Sequence, residues 1–144
     1  MEERYSSKLV TDLMLTRENN GRKEVLLALR KNTGYRDGEY ELPGGHVDTG
    51  EDLMQAMVRE AKEELLIDIK EADLKIAHIL HHYTGDRVNF ILTTNVYKGI
   101  PSIGEPDKCE KLEWFDINEL PTNITNKVKK SIEEINLNIF YSSL

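Results

Sequence analysis

Apolar and polar positions change rhythm several times along the 144 residues. Leu9-Val10-Thr11-Asp12-Leu13-Met14-Leu15 is dense in strand formers, and Asn19-Asn20-Gly21 after it is a turn signal. Glu24 to Arg30 is a nearly continuous apolar run, as expected of a buried strand. Gly34 to Gly38 is polar and loop-like. Tyr40-Glu41-Leu42 then leads into Pro43-Gly44-Gly45, a sequence expected neither to continue a strand nor to enter a helix interior. From Glu51 to about Ile67 the rhythm becomes helical, and Met54, Val58, Ala61 and Leu65 fall on one stripe. Leu74 to Tyr83 and Val88 to Tyr97, divided by Thr84-Gly85-Asp86, predict a hairpin. Leu112-Glu113-Trp114-Phe115 predicts a short strand. A last helix is predicted from near Thr122-Asn123, with Ile124, Val128, Ile132 and Ile135 on one face. Strands, helix, strands, helix in that order predict one layered α+β structure. With no repeat, linker or low-complexity tract, residues 1–144 read as a single domain.

Composition narrows the classes. Hydrophobic residues make up 39% and charged residues 31%, enough apolar material for one core. No apolar run approaches the ~18 residues a spanning helix needs, so no membrane role is expected. Met1-Glu2-Glu3-Arg4-Tyr5 carries no apolar leader region. The single cysteine, Cys109, leaves no internal disulfide and no cysteine-only zinc site. A cytoplasmic protein is the simplest reading. The net charge of −7 argues against a nucleic-acid partner, which normally meets a basic face. It leaves room for a small phosphate-bearing partner, provided a divalent cation stands between carboxylates and phosphates.

The helix beginning after Glu51 carries the chemistry. On a helical wheel Glu60, Glu63 and Glu64 share an arc of about 100°, roughly opposite the apolar stripe. One face is therefore expected to pack while the other concentrates negative charge. Like charges four residues apart destabilise a helix by roughly 0.2–0.5 kcal/mol per pair, a cost that a hard cation among them removes. Arg59 stands four residues before Glu63 and is placed to hold it or to reach back to Glu51. Gly44, Gly45 and Gly50 let the backbone turn sharply and approach a ligand closely.

Gly45, Glu51, Arg59-Glu60 and Glu63-Glu64, with aliphatic Leu66-Ile67 after them, resemble the Nudix box, G-x5-E-x7-R-E-U-x-E-E-x-G-U. Leu42-Pro43-Gly44 before it and Glu113-Trp114-Phe115-Asp116 after it also look like the family layout, so about residues 8 to 136 are covered. Two positions depart from the motif: Leu66 stands where the family has its second glycine, and Ala61 is smaller than the usual aliphatic. Leu66 must then end the helix in another way or let it continue.

The resemblance implies a Nudix α/β/α sandwich, an α+β fold with a central mixed sheet, and a loop–helix–loop that binds Mg²⁺ or Mn²⁺ and positions a diphosphate. It implies metal ligation by Glu60 and Glu64. Glu63 would be a ligand, a ligand through water, or the base, and Glu51 would pair with Arg59 behind them. Gly44 and Gly45 would lie against the substrate. The implied reaction is attack of water on a nucleoside diphosphate linked to some group. A MutT-like nucleoside triphosphate pyrophosphohydrolase is preferred, because sugar-nucleotide members tend to carry an extra N-terminal domain and only about seven residues precede the first strand here. An ADP-ribose or nucleotide-sugar pyrophosphatase is the alternative, and a non-catalytic nucleotide-binding module is a third reading.

Outside the box, Arg30 is the expected phosphate contact. An additional acidic residue is expected from Gly104 to Glu110, with Glu105 and Glu110 preferred and Asp107 left open. Tyr35, Arg36, Tyr40 and Tyr83 read equally as ordinary packing or as contacts to a base or phosphate. His46 reads first as a loop residue. His78, His81 and His82 read as structural; His81 and His82 point to opposite faces of a strand and cannot form a metal pair there. Cys109 reads as an inert thiol. Oligomeric state is left open, a homodimer among the options.

Overall fold

A computed structural model describes residues 3–144. Met1 and Glu2, the start of the segment read for a leader, lie outside the described residues. Strand β1 (Lys8–Asn19) and strand β2 (Arg22–Arg30) form an antiparallel hairpin in the register Thr16↔Val25 to Asn19↔Arg22. Asn20 and Gly21 between them have φ of 53° and 77°. Two left-handed residues match the twist of a two-residue hairpin turn, and Asn-Gly supplies them at least cost.

β1 is long enough to serve two sheets. Its first half pairs in parallel with β6 (Arg87–Thr94) and antiparallel with β4 (Gly44–His46). Its second half pairs with β2, which in turn carries β3 (Tyr40–Glu41) and β7 (Cys109–Asp116). β5 (Lys75–His82) pairs with β6 as the expected hairpin, and β8 (Tyr141–Ser143) closes the far edge. The main order is β3-β2-β1-β6-β5-β8, with parallel and antiparallel pairs mixed.

Helices α1 (Leu53–Leu65) and α2 (Asn126–Asn136) cover separate cores. Leu13, Leu15 and Leu26 pack with Met57, Ala61 and Leu65 of α1, whereas Met14, Val25 and Leu27 pack with Val128 and Ile132 of α2. Successive β1 side chains thus alternate between two helix-covered faces, as period-two strand geometry requires. The α+β sandwich expected from the sequence is the observed architecture. Among the described residues no helix is long and apolar enough to cross a membrane.

Several boundaries differ from the pattern reading. Gly44–His46 is a strand, because Gly44 runs against β1 so closely that a Cβ there would collide with the Thr11 carbonyl. β7 extends beyond Leu112–Phe115 because it follows β2 from Glu24↔Asp116 to Arg30↔Cys109. α2 begins at Asn126, since Asn123 to Thr125 is held extended by Tyr40, whose N–H donates to Asn123 O and whose carbonyl accepts from Thr125 N. β8 and a single 3₁₀ turn at Glu71–Asp73 were outside the pattern reading.

α1 is also rotated from its expected setting. Its fully buried residues are Ala56, Met57, Ala61 and Leu65, with Met54 and Val58 only partly buried. On the helical wheel Ala56 lies within the carboxylate arc and Met57 beside its Glu64 edge. Glu60 and Glu64 therefore border the packed face rather than oppose it.

Candidate active site

The loop before α1 and the helix itself are tied together at both ends. Asp52 caps the helix in a reciprocal box: Gln55 N donates to Asp52 Oδ1, and Asp52 N donates to Gln55 Oε1, both at 2.9 Å. At the other end Leu66 itself adopts the left-handed conformation, φ 56° and ψ 34°, so the helix stops where the family glycine would stop it.

Arg59 organises the carboxylates. Its guanidinium donates to Glu51 Oε1 at 2.6 Å and Oε2 at 3.1 Å, to Glu60 Oε1 at 2.9 Å, to Glu63 Oε2 at 3.2 Å and to the His46 carbonyl at 3.1 Å. The pairing with Glu51 is the forked, two-point kind that a guanidinium makes best. Arg59 and the Asp48 N–H, donating at 2.8 Å, hold the Glu51 carboxyl below its usual range. One cation therefore links the loop, through Glu51 and His46, to the helix face bearing Glu60 and Glu63.

Glu64 is in the opposite condition. Its Oε2 accepts from Gly44 N at 2.8 Å, and among the described residues no cation pairs with it. Burial first, then the nearby Glu60 and Glu105 charges, push its carboxyl up to about 8, against the pull of the Gly44 N–H. Burial also raises Glu60, with Arg59 opposing. Gly45 backs the Glu60 carboxylate so closely that a Cβ would overlap it. Glu63 is turned outward, its side chain 53% exposed.

The acidic loop joins the site from the far side. Ser102 N donates to Leu65 O and Gly104 N to Glu64 O, each at 2.9 Å, so the loop covers the last turn of α1. Gly104 passes the helix so closely that a Cβ would strike the Glu63 carbonyl. Glu105 then lines a cleft of about 360 Å³ with Arg30, Leu42, Gly44, Glu64 and Lys108. Glu110 and Asp107 are exposed and lie outside that lining. Arg30 is steadied by donating to Tyr35 O at 2.7 Å and Thr33 Oγ1 at 3.0 Å. Of the expected residues, the structure thus gathers Arg30, Gly44, Glu64 and Glu105 on one cleft, with Glu60, Arg59 and Glu51 behind it.

The donor set suits a hard divalent cation. Every available side-chain ligand is a carboxyl oxygen, and the raised Glu64 marks a desolvated spot where a charged carboxylate would need a cation. Among the described residues no three such side chains are already drawn together, since Arg59 occupies oxygens of Glu60 and Glu63.

Two cleft-side features were not anticipated. Lys108 and Asn32 line the cleft, from turns that no motif marks. Asp12 in β1 accepts from Asn89 Nδ2 at 2.8 Å, and burial raises its carboxyl to about 6. A lone acid in an otherwise apolar strand was the available signal.

Residues 8–135 match the NUDIX domain family model. An oxidized purine nucleoside triphosphate hydrolase of Danio rerio is 30% identical over 119 residues, covering 81% of this chain and 71% of that protein. An ADP-ribose pyrophosphatase of Methanocaldococcus jannaschii is 34% identical over 106 residues, covering 68% of this chain but only 57% of that protein. Among solved structures, a MutT Nudix hydrolase from Burkholderia pseudomallei superposes with a TM-score of 0.75 at 28% identity, covering 89% of this chain and 97% of that one. The glutamate-lined cleft held by Arg59 and the extent of these matches lead to one assignment: the chain belongs to the Nudix hydrolases, enzymes that act on nucleotide diphosphate derivatives.

Proposed function

We propose that this enzyme is a divalent-cation-dependent, MutT-like pyrophosphohydrolase that cleaves a nucleoside triphosphate to the monophosphate and pyrophosphate. The observation that carries the reading is the uncompensated Glu64 carboxyl facing the cleft beside Glu60 and Glu105. Glu64 and Glu105 on the lining, with Glu60 behind them, would when charged repel a bare diphosphate. They are useful only with a cation between, so Glu60 and Glu64 would hold Mg²⁺ or Mn²⁺, with Glu105 as the added carboxylate. When bound, the ion would offset negative charge on the phosphates and acidify a coordinated water.

The remaining work falls to the chain's own side chains. Arg59 keeps Glu60 and Glu51 in place and sets the distance between loop and helix. Glu63, outward and half exposed, can take a proton from water and pass it to solvent. Arg30, which shares the lining with Glu64, would receive a phosphate oxygen, and the Gly44 backbone allows close approach.

The Danio rerio relative's name supports a triphosphate substrate. The Methanocaldococcus jannaschii relative's name supports the second reading, hydrolysis of ADP-ribose. Product release from dNTPs, NTPs and ADP-ribose, with and without Mg²⁺ or Mn²⁺, ranks the two. Glu64→Gln is expected to lower turnover at least about 100-fold. Wild-type turnover in that variant refutes the metal assignment; tight nucleotide binding with no turnover on any substrate points to a binding module.

A further inference from the structure

A second recess, of about 320 Å³, lies at the start of α2 and is lined by Tyr35, Arg36, His82, Thr125, Lys127 and Lys130. Its character is opposite to that of the glutamate cleft. Three cations border it in a chain of net charge −7. Thr125 occupies the N-cap of α2, where a hydroxyl ordinarily accepts from a first-turn amide. Here it makes no capping bond; the residue is 2% exposed and its Oγ1 has no partner among the described residues. Leaving a buried hydroxyl unpaired is costly.

The electrostatics converge on this point. First-turn amides and the positive end of the helix dipole favour an anion at the start of an 11-residue helix. Burial first, and then the Lys127 and Arg87 charges, disfavour a charged His82. The Lys130–Glu134 and Arg36–Glu39 pairs are long, 3.8 and 3.9 Å, and exposed on their cationic side, so both cations can turn toward a ligand. Lys127 Nζ sits 3.1 Å from Glu41 Oε1, and Glu41 lines the glutamate cleft, so the two recesses are one ion pair apart.

We propose that the recess at the start of α2 is a phosphate-binding site, in which the Thr125 hydroxyl, the first amides of α2 and the Lys127, Lys130 and Arg36 cations receive one phosphate group. The phosphate is either carried by the substrate beyond the bond that is cut or free in solution. Only the first of these sources rests on the function proposed above.

The test titrates the full chain, without metal, with inorganic phosphate and follows backbone amides by NMR. Saturable shifts are expected at Asn126 and Lys127. Affinity should fall about tenfold or more in the Arg36→Gln/Lys130→Gln double variant and about fivefold in Thr125→Val, and stay unchanged in Glu64→Gln. Amide spectra without phosphate establish that each variant is folded. No saturable shift, wild-type affinity in the double variant, or loss of binding in Glu64→Gln overturns the proposal. Inhibition of nucleotide hydrolysis by phosphate then identifies the source: competitive inhibition assigns the site to a substrate phosphate, non-competitive inhibition to the free ion. The binding arm needs no turnover, so it stands or falls separately from the proposed activity.

Discussion

Leu66 is the residue at which sequence and conformation disagree most openly. It ends α1 with φ 56° while its side chain is 50% exposed. A left-handed conformation costs a residue with a Cβ roughly 1–2 kcal/mol, and half-exposure limits what the leucine regains by burial. Leu66→Gly is therefore expected to raise stability by about 1 kcal/mol, read as a higher urea midpoint at unchanged slope. An unchanged or lower midpoint would mean that contacts of the leucine outweigh its strain. Gly45 presents the converse case. A methyl group there must displace the Glu60 carboxylate, so Gly45→Ala should stay folded yet weaken Mg²⁺ binding and turnover together. Isothermal titration with Mg²⁺ separates that result from a loss of fold.

At the scale of elements, the loop and α1 act as one body because of Arg59. Lysine at that position keeps the charge but cannot fork onto Glu51 while reaching Glu60. Arg59→Lys is expected to lower turnover about 10–100-fold with little change in melting temperature, checked by kinetics and calorimetry on one preparation. The elements themselves were largely legible. The apolar run of β2, the Asn-Gly turn, the β5–β6 hairpin and α1 all follow from local pattern, and each is observed within a few residues. What local pattern does not carry is the choice of which polar edge lies near the core. The expected stripe of Met54, Val58, Ala61 and Leu65 left Glu60 and Glu64 in solvent. Packing of Ala56 and Met57 instead turns those carboxylates toward the sheet. Long-range contacts hide the rest: β8 exists because β5 has a free edge, and Glu105 meets Glu64 because Gly104 lets a distant loop cross the helix end.

For the whole molecule, the decisive quantity is negative charge held against burial. In the folded state Glu64 keeps its proton up to about pH 8, against 4.5 for the ordinary carboxyl, and Asp12 up to about pH 6, against 3.8. Both carboxyls are raised, so between those limits the folded chain binds more protons than the unfolded chain, and stability falls as pH rises. The loss should begin near pH 4, amount to a few kcal/mol, and level off above pH 8. Glu64→Gln should flatten the curve from about pH 6 to 8, lessen its slope between pH 4.5 and about 6 where both groups act, and leave the Asp12 part in place. A divalent cation acts in the other direction. Below pH 8 it must displace the Glu64 proton, so Mg²⁺ affinity should climb with pH, by up to tenfold per unit, and stop climbing above it. Thermal unfolding at saturating and at zero Mg²⁺, repeated at pH 6, 7 and 8, reads both effects at once. The expected result is a melting temperature that declines with pH in the metal-free protein, and a Mg²⁺-induced rise that grows over the same range. An equal Mg²⁺ effect at pH 6 and pH 8 would show that the ion does not bind through Glu64, and the catalytic assignment built on that carboxylate would fall with it.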